Sequence, residues 1–259
     1  MITQANQAHT AAFPALTLVQ LYPWEMSVNG DAGNLQTLQR RLQWRSIPSK
    51  LVRLHPGDPF PSQADLIVGG GGQITSNSPV TSDLLRIKEP LREAIESGVP
   101  ALVTGGSYQL FGNYLQTIDN RQIEGAAIFN LHTQDNTQRL TGNVIAQSEQ
   151  FGVIVGFENH SGRTWLGAGI NPLARVTQGG GNNNEDKTEG ARYHNAVGSY
   201  LFGPLLPLNP GIADFLIVKA LEHCLGEPFD PQELTALPAI DACAAQAAAI
   251  VQKRSWNIN

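Results

Sequence analysis

Cysteine is scarce in this sequence: only Cys224 and Cys243 occur among 259 residues. Two cysteines make no disulfide framework, and these lack the spacing of a metal site. Clustered basic charge is also missing. The formal net charge is -5, and no run of five basic residues occurs, so the electrostatic footprint of a nucleic-acid binder is absent. No apolar run reaches the roughly eighteen residues of a membrane-spanning helix, so no membrane insertion is expected. The first basic side chain is Arg40. No positive segment therefore precedes an apolar stretch, as a secretory signal requires. A reducing, cytoplasmic compartment is the expectation.

Hydrophobic residues make up 41% of the chain, an ordinary share for a globular protein. The length allows one large α/β domain or two small ones. Residues 1–14 are polar and rich in Ala and Gln, and read as a loose tail. Leu16–Leu21 is a mostly apolar run, with β-branched Thr17 and Val19, that predicts a buried strand. Leucines 35, 38 and 42 give residues 34–45 a helical face. Short strands are expected at 51–54, 64–68 and 101–104, with one helix over 82–97 and a helix-like stretch over 108–114. Further on, 128–131, 143–147 and 153–157 read as β segments, 178–190 as a polar loop, and 212–224 and 240–253 as helices. Strands alternating with helices in the first half predict a mostly parallel sheet flanked by helices. The site is expected at the carboxyl ends of its strands.

Two of those ends are rich in glycine, at 69–72 and at 105–106. Tight turns are the simplest reading. A phosphate-binding loop is a poor one, since no Lys-Ser or Lys-Thr pair follows either run, and no cofactor or metal motif is present.

The residues around these turns form a set. It comprises Leu21-Tyr22-Pro23 with Gly30-Asp31-Ala32-Gly33-Asn34, then Tyr108-Gln109-Leu110-Phe111-Gly112, then Arg139-Leu140-Thr141-Gly142. Gly156-Phe157-Glu158-Asn159-His160 with Gly162-Arg163-Thr164 follows, then Gly181-Asn182-Asn183 with Glu185-Asp186, and Gly198-Ser199-Tyr200-Leu201 with Gly203-Pro204-Leu205-Leu206-Pro207. In this order the set resembles the glutaminase subunit of bacterial lipid II isoglutaminyl synthase, a cobyric-acid-synthase type of class I glutamine amidotransferase. The resemblance implies that family's α/β fold over residues 15–230, with a C-terminal helical extension over 231–259. It also implies an activity: glutamine is hydrolysed, and the ammonia passes to a Mur-ligase-like, ATP-dependent partner that amidates the lipid II stem peptide.

Such hydrolysis needs a thiolate at a strand–helix turn, a histidine to move the proton, and backbone amides to hold the oxyanion. The resemblance puts the nucleophile at position 105, which is Gly105, and the histidine at position 202, which is Phe202. It retains an acid at Asp31. Ser107 is the nearest substitute hydroxyl, and its place in the helix predicts that it points away from the site. Gly70, Gly71, Gly106, Gln109, Arg139, Asn159 and His160 are the implied glutamine-site residues. Gln73-Ile74-Thr75-Ser76 departs from the polar and charged residues that follow the family's triple glycine. His194, Cys224 and Cys243 read as structural. Three readings stay open: a degenerate subunit that serves its ATPase partner without catalysis, an active glutaminase with a rebuilt site, and a sensor that binds glutamine or another small molecule.

Overall fold

The computed structural model describes residues 13–254. The expected tail thus lies outside the described residues except for Phe13 and Pro14, and Phe13 packs its ring 6.1 Å from that of Phe229. In chain order the elements are β1 (Leu16–Leu21), α1 (Ala32–Trp44), β2 (Ser49–Leu54), β3 (Leu66–Gly69), α2 (Pro79–Arg86), α3 (Lys88–Glu96), β4 (Ala101–Thr104) and α4 (Gly106–Leu110). Then come β5 (Tyr114–Gln116), β6 (Gln122–Glu124), β7 (Leu131–Gln134), β8 (Leu140–Ser148), β9 (Gly152–His160), β10 (Arg163–Leu166), β11 (Ala174–Gln178), β12 (Thr188–Glu189), β13 (Ala191–Tyr193) and β14 (Ala196–Ser199). Helices α5 (Pro210–Leu225) and α6 (Pro238–Lys253) complete the chain.

A six-stranded sheet forms the centre, in the order β13-β14-β4-β3-β1-β2. Its pairs are parallel except that between β13 and β14. Every residue of β1 is buried, as expected for a strand covered on both faces. The period of two divides the core. Leu16, Leu18, Leu66, Val68, Leu102 and Val197 point to one side, where α1 and α5 pack. Val19, Leu21, Ile67, Ala101, Val103 and Ala196 point to the other, against α2, α3 and the rings of Tyr108, Phe111 and Phe129. Two four-stranded sheets, β10-β7-β5-β6 and β12-β11-β8-β9, supply the additional β structure of the second half.

Several elements differ from the sequence reading. The single helix expected over 82–97 is two, joined at Ile87 (φ -93°, ψ 6°). Pro90 explains the break: without an N–H it fits only the first turn of a new helix. The first of the pair also starts earlier than expected, at Pro79, where the Ser78 hydroxyl accepts the Val80 N–H. The stretch 108–114 is helical only to Leu110, and Tyr114 opens β5. Residues 128–129 are not a strand; both N–H groups converge on the Phe111 carbonyl. The polar loop 178–190 contains the short strand β12, paired with β11.

Candidate active site

The end of β4 feeds directly into α4 through Gly105, whose dihedrals are φ 53° and ψ -117°. This pair lies outside the allowed regions of residues that carry a Cβ. It is the strained strand-to-helix turn that presents a residue above a parallel sheet. The turn is pinned on three sides. The Gly105 N–H donates to the Ser199 carbonyl at 3.0 Å, the Ser107 N–H to the Gly70 carbonyl at 3.1 Å, and the Gln109 N–H to the Gly105 carbonyl at 3.1 Å. A Cβ on Gly105 would stand 3.2 Å from the Gly71 Cα, so the two glycine-rich strand ends are packed backbone to backbone.

Asp31 lies beneath them, buried. Its Oδ1 accepts the Thr104 hydroxyl at 2.8 Å and its Oδ2 the Asn29 N–H at 3.2 Å. This carboxylate anchors the residue before the elbow, and its bonds do not run to Phe202.

Above the elbow is a cavity of about 470 Å³. Of the residues singled out in the sequence, Gly71, Gly105, Gly106, Gln109, Arg139, Asn159, His160 and Phe202 line it. Gly70, Asp31 and Ser107 do not. A Cβ on Gly70 would clash with the Met26 carbonyl and Asp31, and the Ser107 hydroxyl turns under the loop toward Gly69. His194 belongs to a different cavity, and Cys243 to a cleft between α1 and α6.

At the rim, the Arg139 guanidinium donates to the Asn159 side-chain and backbone oxygens at 2.8 and 2.7 Å. The wall is a chain of polar groups. Gln109 Nε2 donates to the Tyr200 hydroxyl at 3.0 Å, which meets Thr164 Oγ1 at 2.6 Å and, beyond it, Thr133 Oγ1 2.7 Å further on. The His160 ring stacks flat on Tyr200 with centroids 3.7 Å apart. Because its Nδ1 faces the Gly162 carbonyl at 2.8 Å, that nitrogen carries the proton. Nε2 is buried without a hydrogen-bond partner and lies 3.6 Å from Glu158 Oε2. Phe202 closes the opposite side as a buried ring, its N–H bonded to the Phe157 carbonyl at 3.1 Å.

Sequence reasoning passed over two buried carboxyls behind this wall. Glu158 accepts the Gly180 and Gly181 N–H groups, each at 2.8 Å. Glu189 accepts the Ser199 hydroxyl at 2.6 Å and the Tyr200 N–H at 3.1 Å. Full burial, helped by the neighbouring Glu158 charge, pushes the Glu189 carboxyl up to about 7 against these hydrogen bonds. Glu158 was visible inside its motif. Glu189 gave no signal, since it follows a run of charged loop residues. Among the described residues no three His, Cys, Asp or Glu side chains form a metal-binding group.

The cavity offers backbone amides at two glycine turns and an arginine at the rim. At the elbow itself no side chain exists to attack a carboxamide, and the Phe202 ring transfers no proton.

Residues 19–210 match the CobB/CobQ-like glutamine amidotransferase domain. The chain is 40% identical over 220 residues to the glutamine-hydrolysing lipid II isoglutaminyl synthase subunit GatD of Staphylococcus aureus, covering 85% of this chain and 89% of that protein. It is 34% identical over 217 residues to the subunit of the same name from Streptococcus pneumoniae, covering 82% and 83%. The structure of PurLQS from Thermotoga maritima superposes with a TM-score of 0.53 at 14% identity, over 82% of this chain and 100% of that one, which supports the fold alone. The chain therefore belongs to the CobB/CobQ-like glutamine amidotransferase family as a GatD-type subunit.

Proposed function

We propose that this chain is a GatD-type subunit that no longer hydrolyses glutamine, and that it serves a lipid II isoglutaminyl synthase as the non-catalytic companion of a Mur-ligase-like, ATP-dependent subunit. The carrying observation is Gly105. The elbow keeps the dihedrals of a nucleophile turn, φ 53° and ψ -117°, yet bears no side chain. Phe202 fills the position the family gives to the base, and Asp31 is committed to Thr104 and Asn29. Removing either half of a nucleophile–base unit already abolishes most of the rate. The scaffold motifs away from the elbow are kept, as a retained heterodimer requires. In this reading the ATPase partner takes up free ammonia, the complex is cytoplasmic, and the cavity holds glutamine or another small molecule without turning it over. Among the described residues no helix is long and apolar enough to cross a membrane.

One observation favours a second reading, an active glutaminase with a rebuilt site: the His160 imidazole lines the cavity. Glutamate release from glutamine, measured with and without the partner subunit, separates the two. We expect none above background. Turnover that disappears in His160→Gln would establish the rebuilt enzyme instead. Co-expression with a Mur-ligase-like subunit followed by size-exclusion chromatography is expected to give a heterodimer, and separate elution of the two chains would contradict the companion role.

A further inference from the structure

We propose that a second cavity, at the β13 edge of the main sheet, binds the oxyanion of a small metabolite, a phosphate or carboxylate group. This goes beyond the reading above, because the cavity shares no lining residue with the one at the elbow. It measures about 560 Å³, within the range of small-molecule sites. The turn between β8 and β9, the loop before β11, and the hairpin of β13 and β14 enclose it.

The key residue is Arg192 on β13. Its guanidinium lies over two rings, 4.6 Å from the Phe215 centroid and 5.4 Å from that of Phe151. Its one side-chain partner is the Gln150 Oε1, at 2.8 Å. Nε is buried with no acceptor. Among the described residues no carboxylate comes within ion-pairing distance of it. Arg41 makes an informative contrast. Burial opposes the charge of both arginines. At Arg41 the carboxylates of Asp214 and Asp241 overcome that opposition and raise the guanidinium above its usual value. At Arg192 burial acts alone and lowers it. Arg192 is half-buried, and a partly desolvated cation without a counterion carries a cost that the two aromatic faces offset only in part.

The surroundings suit the missing anion. Arg175 lines the same cavity, and the hydrogen bond recorded for its guanidinium is a long one, 3.5 Å to the Asp186 carbonyl. His194 also lines it, at the tight turn between β13 and β14. The exposed Glu149 is the one acid of the lining, and Asp186 lies outside it beside Arg175, so the lining itself is net positive even with His194 neutral. A guanidinium fork matches an oxyanion with two parallel hydrogen bonds, and the Tyr193 ring and Leu173 provide an apolar wall for the rest of the ligand.

Calorimetric titration of the full chain with inorganic phosphate, AMP and L-glutamate tests this. Saturable millimolar or tighter binding of at least one probe is expected. The phosphate and glutamate arms then tell which oxyanion is preferred. Arg192→Gln is expected to weaken that binding about tenfold or more, the loss for a charge-assisted hydrogen bond. Arg139→Gln, at the elbow cavity, is expected to leave it unchanged. Should Arg192→Gln not fold, the exposed Arg175→Gln decides in its place. No binding of any probe, or an affinity that follows Arg139 and not the two cavity arginines, overturns the proposal.

Discussion

A single pair of dihedrals at Gly105 decides the sign of one substitution. Gly→Ala at an ordinary turn stabilises a protein by about 0.4–1 kcal/mol, because the unfolded chain loses freedom. At φ 53° and ψ -117°, with the new Cβ 3.2 Å from the Gly71 Cα, the native state is the one that suffers. Gly105→Ala is therefore expected to lower stability by roughly 1–3 kcal/mol in denaturant melts. A more stable mutant would show that position 105 is not a strained elbow. The same reasoning bears on repair. Gly105→Cys with Phe202→His installs a thiol and an imidazole, but Asp31 is still held by Thr104 and Asn29, and the Gln73–Ile74 stretch still lines the cavity. Misplacement by about 1 Å costs on the order of a hundredfold in rate. The double variant should thus stay well below about 1 per second, a modest rate for an enzyme. Steady-state glutamate production at that rate or faster would show an intact site around an altered pair.

Elements are joined here by charge as well as by apolar packing. Arg41 of α1 and Arg45 at its C-cap clamp Asp214 of α5: Arg41 through Nε and Nη2 at 2.7 and 2.6 Å, Arg45 through both terminal nitrogens at 2.9 Å. Arg41 also donates to Asp241 of α6 at 2.7 Å. Helix α6 buries only Ala244, so this bond is a large part of its attachment. Asp241 is 37% exposed, which limits the pair to about 0.2–1 kcal/mol. Asp241→Ala should leave the global melt nearly unchanged while α6 amides exchange faster with deuterium. Arg41→Met, which removes three charged hydrogen bonds from a side chain 2% exposed, should cost more, about 1.5–3 kcal/mol. Equal effects of the two variants on the melt would contradict this ranking.

For the whole molecule, Glu189 links folding to pH. Its ordinary value is 4.5, and burial raises it to about 7 in the folded state. The native protein therefore holds a proton that the unfolded chain has released between these values. Its contribution to stability is present in full below about 4.5 and is lost as pH rises toward 7. The size is on the order of 3 kcal/mol for a shift of this extent. Glu189→Gln should remove that decline, so the stability difference between wild type and variant should change steadily from pH 4.5 to 7 and level off above. A difference independent of pH would mean that the carboxyl is ionised in the folded protein throughout.

Much of this architecture was readable from local pattern. The apolar run at Leu16–Leu21 read as a buried strand, the leucines at 35, 38 and 42 drew one face of a helix, and the glycine runs marked the ends of β3 and β4. Position 105 could be read as lacking a nucleophile because a missing side chain needs no geometry to interpret. Strand β14 was not legible: Ala196-Val197-Gly198-Ser199 is too short and too small to carry a period, and it becomes a strand only because β4 offers it a ladder. Asp31 carries no mark of its partner in the sequence; that its oxygens go to Thr104 and Asn29 depends on how β4 and the loop before α1 approach each other. Glu158 and Glu189 lie far apart along the chain, and only the folded chain buries both and brings the Glu158 charge to bear on the Glu189 carboxyl. Local chemistry is written in neighbouring residues, whereas burial and counter-charge belong to groups that only the folded chain brings together.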